Sequence, residues 1–244
     1  MQREDGSLVA RDRGSPQGSA ISPLLANLFM HYAFDSWMQR EFPSVGFERY
    51  CDDVVVHCVS KAQAEFVKAA IGRRLQECGL EMHPEKTRIV YCKDGKRRGP
   101  YEPERFVFLG YEFRARSTRT NDGRRFEGFN PAISPEEGKR IRQEMRDWHL
   151  NRAVGQTLTE LARWVNPKVR GWINYYGAFY RSELSTSLRS LNEHLARWAQ
   201  RKYKRLRGRP GRTYRFLSRV AEREPDLFAH WTIGLRPSWI ARAE

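Results

Sequence analysis

GFERYCDDVVVHCVS, Gly46 to Ser60, sets two adjacent carboxylates, Asp52 and Asp53, between two apolar runs. Val54, Val55, Val56 and Val59 are β-branched and favour extended backbone, and Phe47 to Tyr50 approaches from the other side. The pattern predicts a β-hairpin with Cys51, Asp52 and Asp53 at or beside its turn. Aspartate is an ordinary turn residue, so Tyr50–Asp53 alone reads equally as a turn with two solvated carboxylates. Hard oxygen ligands also suit Mg2+, which takes one or two protein carboxylates and completes its shell with water and substrate phosphate. Two such ions, roughly 3.5–4 Å apart, stabilise the attacking and leaving oxygens of an in-line phosphoryl displacement. Successive strand side chains point to opposite faces, so only one of the pair need aim squarely at metal, and Asp52 is the expected chief ligand.

Upstream lies GSPQGSAISPLLANLFMHYAFDSWMQREF. Gly14 to Gly18 is a turn-rich loop. Ser22 and Pro23 fit an N-cap and first helical position. Leu24, Leu25, Leu28, Phe29, Tyr32 and Ala33 recur at helical spacing, which predicts a buried amphipathic helix from about Pro23 to Arg40.

Downstream, Ser60 and Gln63 fit a capping box, Val67, Ala70, Ile71 and Leu75 supply a helical stripe, and Gly79 fits the helix end. A second hairpin is expected from strands Thr87–Cys92 and Arg105–Arg114, joined by KDGKRRGPYEPE. Ser117–Gly123 is polar and marks a boundary. The division expected is a sheet-bearing region over 1–116, a linker over 117–133 and a helical region over 134–244. Ser134-Pro135-Glu136-Glu137 and Thr157/Glu160 are helix starts. Further helices are expected near Pro167–Tyr180, Leu184–Leu206 and Arg212–Arg223. The class is α+β: antiparallel hairpins with packed helices, then an all-helical domain.

The 244 residues carry a formal net charge of +15, which points to a polyanionic partner. Residues 1–100 hold 15 Lys/Arg against 13 Asp/Glu, whereas residues 101–244 hold 29 against 16, so the cationic excess sits in the second region. Cys51, Cys58, Cys78 and Cys92 form no C-x-x-C pair and complete no zinc pattern. They read as reduced packing residues, and with no run of 18 apolar residues or signal-peptide pattern a cytoplasmic location is expected and a membrane partner is not.

Several blocks, in order, resemble the reverse transcriptases encoded by group II introns. GSPQGSAISPLLANLF resembles their G-x-P-Q-G block, YCDD (Tyr50 to Asp53) their Y-A-D-D turn, GLEMHPEKT the next block, FVFLGYEF the F-L-G-F element, and NPKVRGWINYY the maturase-specific helices. The resemblance implies an RNA-directed DNA polymerase and maturase of a mobile element. Its fold is the rear of a polymerase palm followed by thumb and maturase helices. Asp52 and Asp53 become palm carboxylates holding Mg2+. Gln17 and Gly18 lie near the templating pair or incoming nucleotide, Tyr50 beside the catalytic turn, and Lys86 near the nucleotide phosphates, where it protonates the leaving pyrophosphate or acts as a point charge. Phe108, Leu109 and Gly110 form a turn that grips the primer end. The implied partners are group II intron RNA, a DNA primer or target, and dNTP, with roles in nucleotidyl transfer, RNA splicing and mobility. Without that resemblance each of these residues has a plainer reading: Gln17 closes a loop, Lys86 is a solvated lysine, and Phe108 and Leu109 are core.

The family's polymerase also uses a third carboxylate strand and fingers before the G-x-P-Q-G block. Only 13 residues precede Gly14, and Asp5 and Asp12 sit in a polar lead-in. The expectation is a chain inactive alone, completed by a separate N-terminal half or retaining only RNA-binding maturase function. Another palm-type nucleotidyl transferase or cyclase is a third reading, and the maturase-like helices argue against it.

Arg197 to Arg219 holds ten Lys/Arg and no Asp/Glu, with Tyr203, Tyr214 and Phe216 interleaved. Arg201, Lys202, Lys204, Arg205, Arg207, Arg209 and Arg212 are the RNA-binding candidates, since phosphate contacts supply much sequence-independent affinity. Trp172, Tyr175, Tyr176 and Phe179 recur at core spacing and read as packing between helices.

Overall fold

The computed structural model describes residues 20–96, 99, 101–120 and 122–238. The chain divides into two compact units, Met1–Ile89 and Val90–Glu244.

The first unit begins with α1, Ser22–Met30, a π-helical turn at His31–Asp35, and α2, Ser36–Glu41. A hairpin follows, β1 at Phe47–Tyr50 and β2 at Asp53–Val56, and then α3, Lys61–Glu77. Phe34, Met38, Val45, Val67, Ile71 and Leu75 form the core, with Phe47, Val54 and Val56 of the hairpin packed on it. Fully burying each such side chain is worth about 1.5–3 kcal/mol. The Ser60 hydroxyl caps α3 by accepting from the Gln63 N–H at 3.2 Å. The Gln63 side chain reaches back one residue further than a capping box requires, accepting from Val59 N–H at 2.7 Å. Gly79, at φ +72°, ends the helix, and Leu80 N–H closes on the Leu75 carbonyl at 2.8 Å.

The expected buried helix over 23–40 is only half right. Ala33, Phe34 and Met38 are buried, but α1 has no buried residue, and Leu24, Leu25, Leu28, Phe29 and Tyr32 are all exposed. Periodicity reports an apolar face, not what covers it.

The second unit opens with a three-stranded antiparallel sheet, β3 (Arg105–Phe108), β4 (Tyr111–Arg119) and β5 (Arg125–Ile133). This corrects two expectations. Thr87–Cys92 is not a strand, although Tyr91 N–H bonds the Pro103 carbonyl at 2.9 Å. Arg105–Arg114 is itself the hairpin, folded at Leu109-Gly110 with Phe108 opposite Tyr111. The stretch over 117–133 expected as a linker is the paired end of β4 and all of β5, in register from Arg119↔Arg125 to Tyr111↔Ile133. Its polar residues are compatible with a strand because the pairing is carried by backbone groups. Buried Arg116 fastens the sheet, donating to Glu112 Oε2 and Glu183 Oε1, each at 3.2 Å.

After the sheet every described element is helical: α4 (Pro135–Asp147), α5 (Leu158–Tyr176), α6 (Arg181–Leu188), α7 (Ser190–Lys202), α8 (Pro210–Arg223) and the short α9 (Ala229–Thr232), with single 3-10 turns at Leu150–Arg152 and Lys204–Leu206. The Ser134 hydroxyl accepts from Glu137 N–H at the head of α4. Thr157 and Glu160 close a reciprocal capping box on α5, worth about 1 kcal/mol. That helix runs through Pro167 instead of starting there. Trp198, Trp231, Phe228, Leu161, Leu191 and Leu217 are among the fully buried residues of one large core. Two buried asparagines tie its C-terminal end: Asn166 bonds the Leu227 carbonyl and the Ala229 N–H, and Asn192 bonds the Leu235 carbonyl, His230 and Trp231, all at 2.9 Å.

Candidate catalytic hairpin and nucleic-acid surface

The β1–β2 connection is a two-residue turn, Cys51-Asp52, with Tyr50 directly opposite Asp53. Cys51 sits at φ +55°, which a tight hairpin turn requires and which costs a non-glycine residue roughly 1–2 kcal/mol. Strand alternation sorts the side chains. Phe47, Arg49, Val54 and Val56 share the face toward the helices. Glu48, Tyr50, Asp53 and Val55 share the other face, and Asp52 projects from the tip. Asp52, Asp53 and Tyr50 are all exposed. The hairpin of the sequence reading is therefore present, with both carboxylates at its end.

Arg49 fixes that end, a role the sequence reading did not foresee. It binds Asp35 with two parallel hydrogen bonds, 2.7 Å from Nε and 2.6 Å from Nη2. Its Nη1 donates to the Cys51 carbonyl at 2.8 Å and to Asn27 Oδ1 at 3.0 Å. The turn carrying Asp52 is thus bonded to α1 and the π-turn. The hydrogen bonds from Arg49 hold the Asp35 carboxyl below its ordinary pKa, and Asp35 in turn raises that of the guanidinium. Sequence offered a weak signal: one arginine beside the turn and one aspartate on a helix 14 residues earlier.

Two exposed carboxylates in no ion pair among the described residues are the donor chemistry a hard divalent cation takes. Among the described residues no group of three His, Cys, Asp or Glu is gathered as a metal site, so the hairpin fits as the source of two ligands and not as a whole shell. Lys86 is exposed on the turn after α3, where Thr87 N–H bonds the His83 carbonyl at 2.9 Å. No hydrogen bond or ion pair joins it to Asp52 or Asp53. Gln17 and Gly18 lie outside the described residues.

In the second unit Leu109 and Gly110 occupy a turn with φ +51° and +78°, the double left-handed geometry of a type I′ hairpin. Both carbonyls are held: Tyr175 Oη donates to Leu109 at 2.9 Å, and Ser134 N–H to Gly110 at 2.9 Å. A Cβ on Gly110 would lie 2.8 Å from Tyr176 Oη and 3.1 Å from Glu137 Cγ. The stripe read as packing divides in two. Trp172 stacks on Trp148 and Tyr176 is buried beside Tyr111, whereas Tyr175 and Phe179 stay about half exposed, at 48% and 52%.

The candidate RNA-binding side chains fall into two kinds. Arg201, Lys204, Arg205, Arg207, Arg209 and Arg212 are exposed and in no ion pair among the described residues. Lys202 is occupied: its ammonium donates to the Gln156 carbonyl at 2.5 Å and lies 5.4 Å from the Trp198 ring centre. No described helix is long and apolar enough to cross a membrane.

An exposed two-carboxylate hairpin beside packed helices, followed in the chain by a helical domain with a cationic surface, is consistent with part of a polymerase palm and a helical domain after it. Residues 2–113 match the family described as reverse transcriptase (RNA-dependent DNA polymerase), and residues 138–217 match the group II intron maturase-specific domain. The chain belongs to the group II intron reverse transcriptase and maturase family. The first family uses divalent metal in general, and the second implies intron RNA as partner. The chain is also similar to Protein YkfC of Escherichia coli (strain K12), 25% identical over 152 residues, 49% of this chain and 37% of the relative.

Proposed function

We propose that this chain supplies the catalytic hairpin and the RNA-binding thumb of a group II intron RNA-directed DNA polymerase and maturase. The observation that carries the reading is the pinned, exposed Cys51-Asp52 turn, in chain order with a maturase-specific domain. Asp52 and Asp53 would hold Mg2+, which when bound stabilises charge on the oxygens of a phosphoryl displacement. Arg49 keeps the tip at fixed height by bonding its backbone, so the carboxylates need little ordering when substrate arrives. Lys86 places a cation for nucleotide phosphates, and the family resemblance assigns Gln17 and Gly18 to the templating pair or incoming nucleotide. The Leu109-Gly110 turn, its carbonyls already bonded inward, offers a stiff edge to a primer end. The exposed arginines from Arg201 to Arg212 neutralise intron RNA phosphates.

The test is Mg2+-dependent primer extension on an RNA template, by the chain alone and with an added N-terminal half of the family's polymerase, beside RNA binding. Asp52→Asn is expected to abolish extension and leave RNA affinity unchanged; extension that survives the substitution overturns the catalytic assignment. A second reading, an RNA-binding maturase that does not polymerise, draws support from the maturase-specific domain over residues 138–217. It is the outcome if the wild-type chain binds intron RNA and extends no primer either alone or with the added N-terminal half.

A further inference from the structure

The Leu109-Gly110 turn is held more firmly than a hairpin requires. Carbonyls at a surface turn can be satisfied by water. Here both are taken by protein, from the ends of two different helices: Tyr175 of α5 donates to Leu109, and the Ser134 N–H at the head of α4 donates to Gly110. The tie to α5 is reciprocal. Tyr111, the residue after the turn, donates its phenol hydroxyl to the Tyr175 carbonyl. That carbonyl is among the last four of the helix, which have no partner within it. Tyr175 in turn donates its own hydroxyl to the residue two before Tyr111. The two rings lie with centres 5.5 Å apart, and Phe179 meets Tyr111 edge-on at 5.7 Å. Tyr176, next on the helix, donates to Glu137 Oε2 of α4 at 2.8 Å and fills the space that a Cβ on Gly110 would need.

Packing accounts for only part of this clasp. Tyr111 and Tyr176 are buried and fill the core, but Tyr175 and Phe179 are half exposed, so the Tyr175 hydroxyl reaches Leu109 across the surface. Leu109 stands at φ +51°, a left-handed conformation that residues with a Cβ rarely adopt. A strained turn persists only where its surroundings over-determine it, and such strain gathers at ligand clamps and active sites.

We propose that Tyr175 and Tyr111 are positioning residues that lock the Leu109-Gly110 turn to the end of α5, so that the turn meets a primer end in one fixed conformation; the inference rests on the primer-holding role given to that turn above. Each hydroxyl is committed to a carbonyl within the protein, so the effect on a primer is exerted through the turn. The clasp removes, before binding, the freedom that an unheld turn would lose when the primer end arrives. Sequence spacing assigns Tyr175 to the same packing stripe as Trp172 and Tyr176, and only the bond to Leu109 separates its task from theirs.

The experiment uses the full chain and two hydroxyl deletions. Tyr175→Phe removes the bond to Leu109 and keeps the ring. Tyr180→Phe is the control: Tyr180 Oη donates to the Ser117 carbonyl at 2.6 Å, so it loses the same kind of bond to β4 away from the turn. Amide hydrogen exchange over residues 105–114 is measured on the chain alone, and primer extension on an RNA template with the added N-terminal half. Tyr175→Phe is expected to speed that exchange and to raise the KM for primer–template about 2–10-fold, the worth of one hydrogen bond. The nucleotide KM and the melting temperature should hold, and Tyr180→Phe should change neither the exchange nor the primer KM. A primer KM unchanged in Tyr175→Phe overturns the positioning role while the polymerase reading stands. So does an equal rise in Tyr180→Phe, or a rise in primer and nucleotide KM together, since either marks a general loss of structure. A wild-type chain that extends no primer even with the N-terminal half sinks the polymerase reading and the inference with it; faster exchange in Tyr175→Phe would then report a structural tie alone.

Discussion

The guanidinium of Arg49 spans both oxygens of Asp35, at 2.7 and 2.6 Å, and its Nη1 donates to the carbonyl of Cys51 and to Asn27 Oδ1. One side chain thus joins a helix to the backbone that carries Asp52. Both partners are largely sheltered, with side chains 11% and 16% exposed, so removal of either leaves a charge without its partner. Arg49→Gln or Asp35→Asn is expected to cost about 1.5–3 kcal/mol. The double variant should cost little more than either single, and denaturant titration of all four proteins reads this coupling. Because the Asp35 pKa is lowered on folding, the pair contributes fully above the ordinary carboxyl range and fades as pH drops below it. Additive single effects would show that the two residues act independently.

Two glycines should respond to alanine with opposite sign. Gly110 stands at φ +78° with Tyr176 Oη 2.8 Å from where a Cβ would sit. Gly110→Ala is expected to lose at least about 1–2 kcal/mol from backbone strain, before the clash is counted. Gly171 lies inside α5 with ordinary helical backbone and nothing within 4 Å of a Cβ. Gly171→Ala should gain roughly 0.5–1 kcal/mol. Paired thermal melts distinguish the two; equal shifts would contradict the turn geometry assigned to Leu109-Gly110.

Features written in local chemistry were legible from the sequence, and features made by distant residues were not. The carboxylate hairpin announced itself through β-branched residues after Asp53, and the caps at Ser60, Ser134 and Thr157 through neighbours three residues on. The residue pattern hid the β3–β4 hairpin because its turn is Leu-Gly, without the asparagine or aspartate that usually marks a double left-handed turn, so Arg105–Arg114 read as one strand, and only the family resemblance implied a turn at Phe108 to Gly110. The 117–133 stretch misled in the other way: Asp122 and Gly123 mark a genuine turn, but the polar residues around it belong to long strands held by backbone bonds. The exposed face of α1 and the Arg49–Asp35 pair each depend on what three-dimensional neighbours do, which spacing along the chain does not encode.

Acidification should weaken the second unit. Burial lowers His230 to a pKa of about 3 and His194 to about 4, from 6.5. For His230 the fold offers no acceptor for a second proton: Nε2 faces the Asn192 amide oxygen, and buried Nδ1 has no partner among the described residues. In the unfolded chain both rings take up a proton below about pH 6.5, while the folded rings stay neutral until much lower pH. Stability is therefore intact above pH 6.5 and declines as pH falls from there, by up to about 1.4 kcal/mol per pH unit for each histidine. Denaturant midpoints measured from pH 7.5 to 4.5 check the slope. His194→Gln should flatten it by about one proton's worth; a slope unchanged in that variant would place the titration elsewhere.

Lys202 and Arg207 sit in the same basic run, and the fold gives them different tasks. Lys202 is committed to the Gln156 carbonyl and the Trp198 ring, whereas Arg207 is exposed on the segment between the 3-10 turn and α8, in no ion pair among the described residues. Lys202→Met is expected to lower stability by about 1 kcal/mol, the worth of a hydrogen bond and a cation–π contact at a half-buried site. Its effect on RNA affinity should be small, because an ammonium already bonded within the protein has little to offer a phosphate. Arg207→Gln should do the reverse: thermal stability holds, and the dependence of RNA affinity on salt becomes shallower by about one phosphate contact. Melting curves and salt-series binding on the two variants form a crossed comparison. If Lys202→Met reduces the salt dependence as much as Arg207→Gln does, the bonds to Gln156 and Trp198 do not hold the ammonium back from RNA.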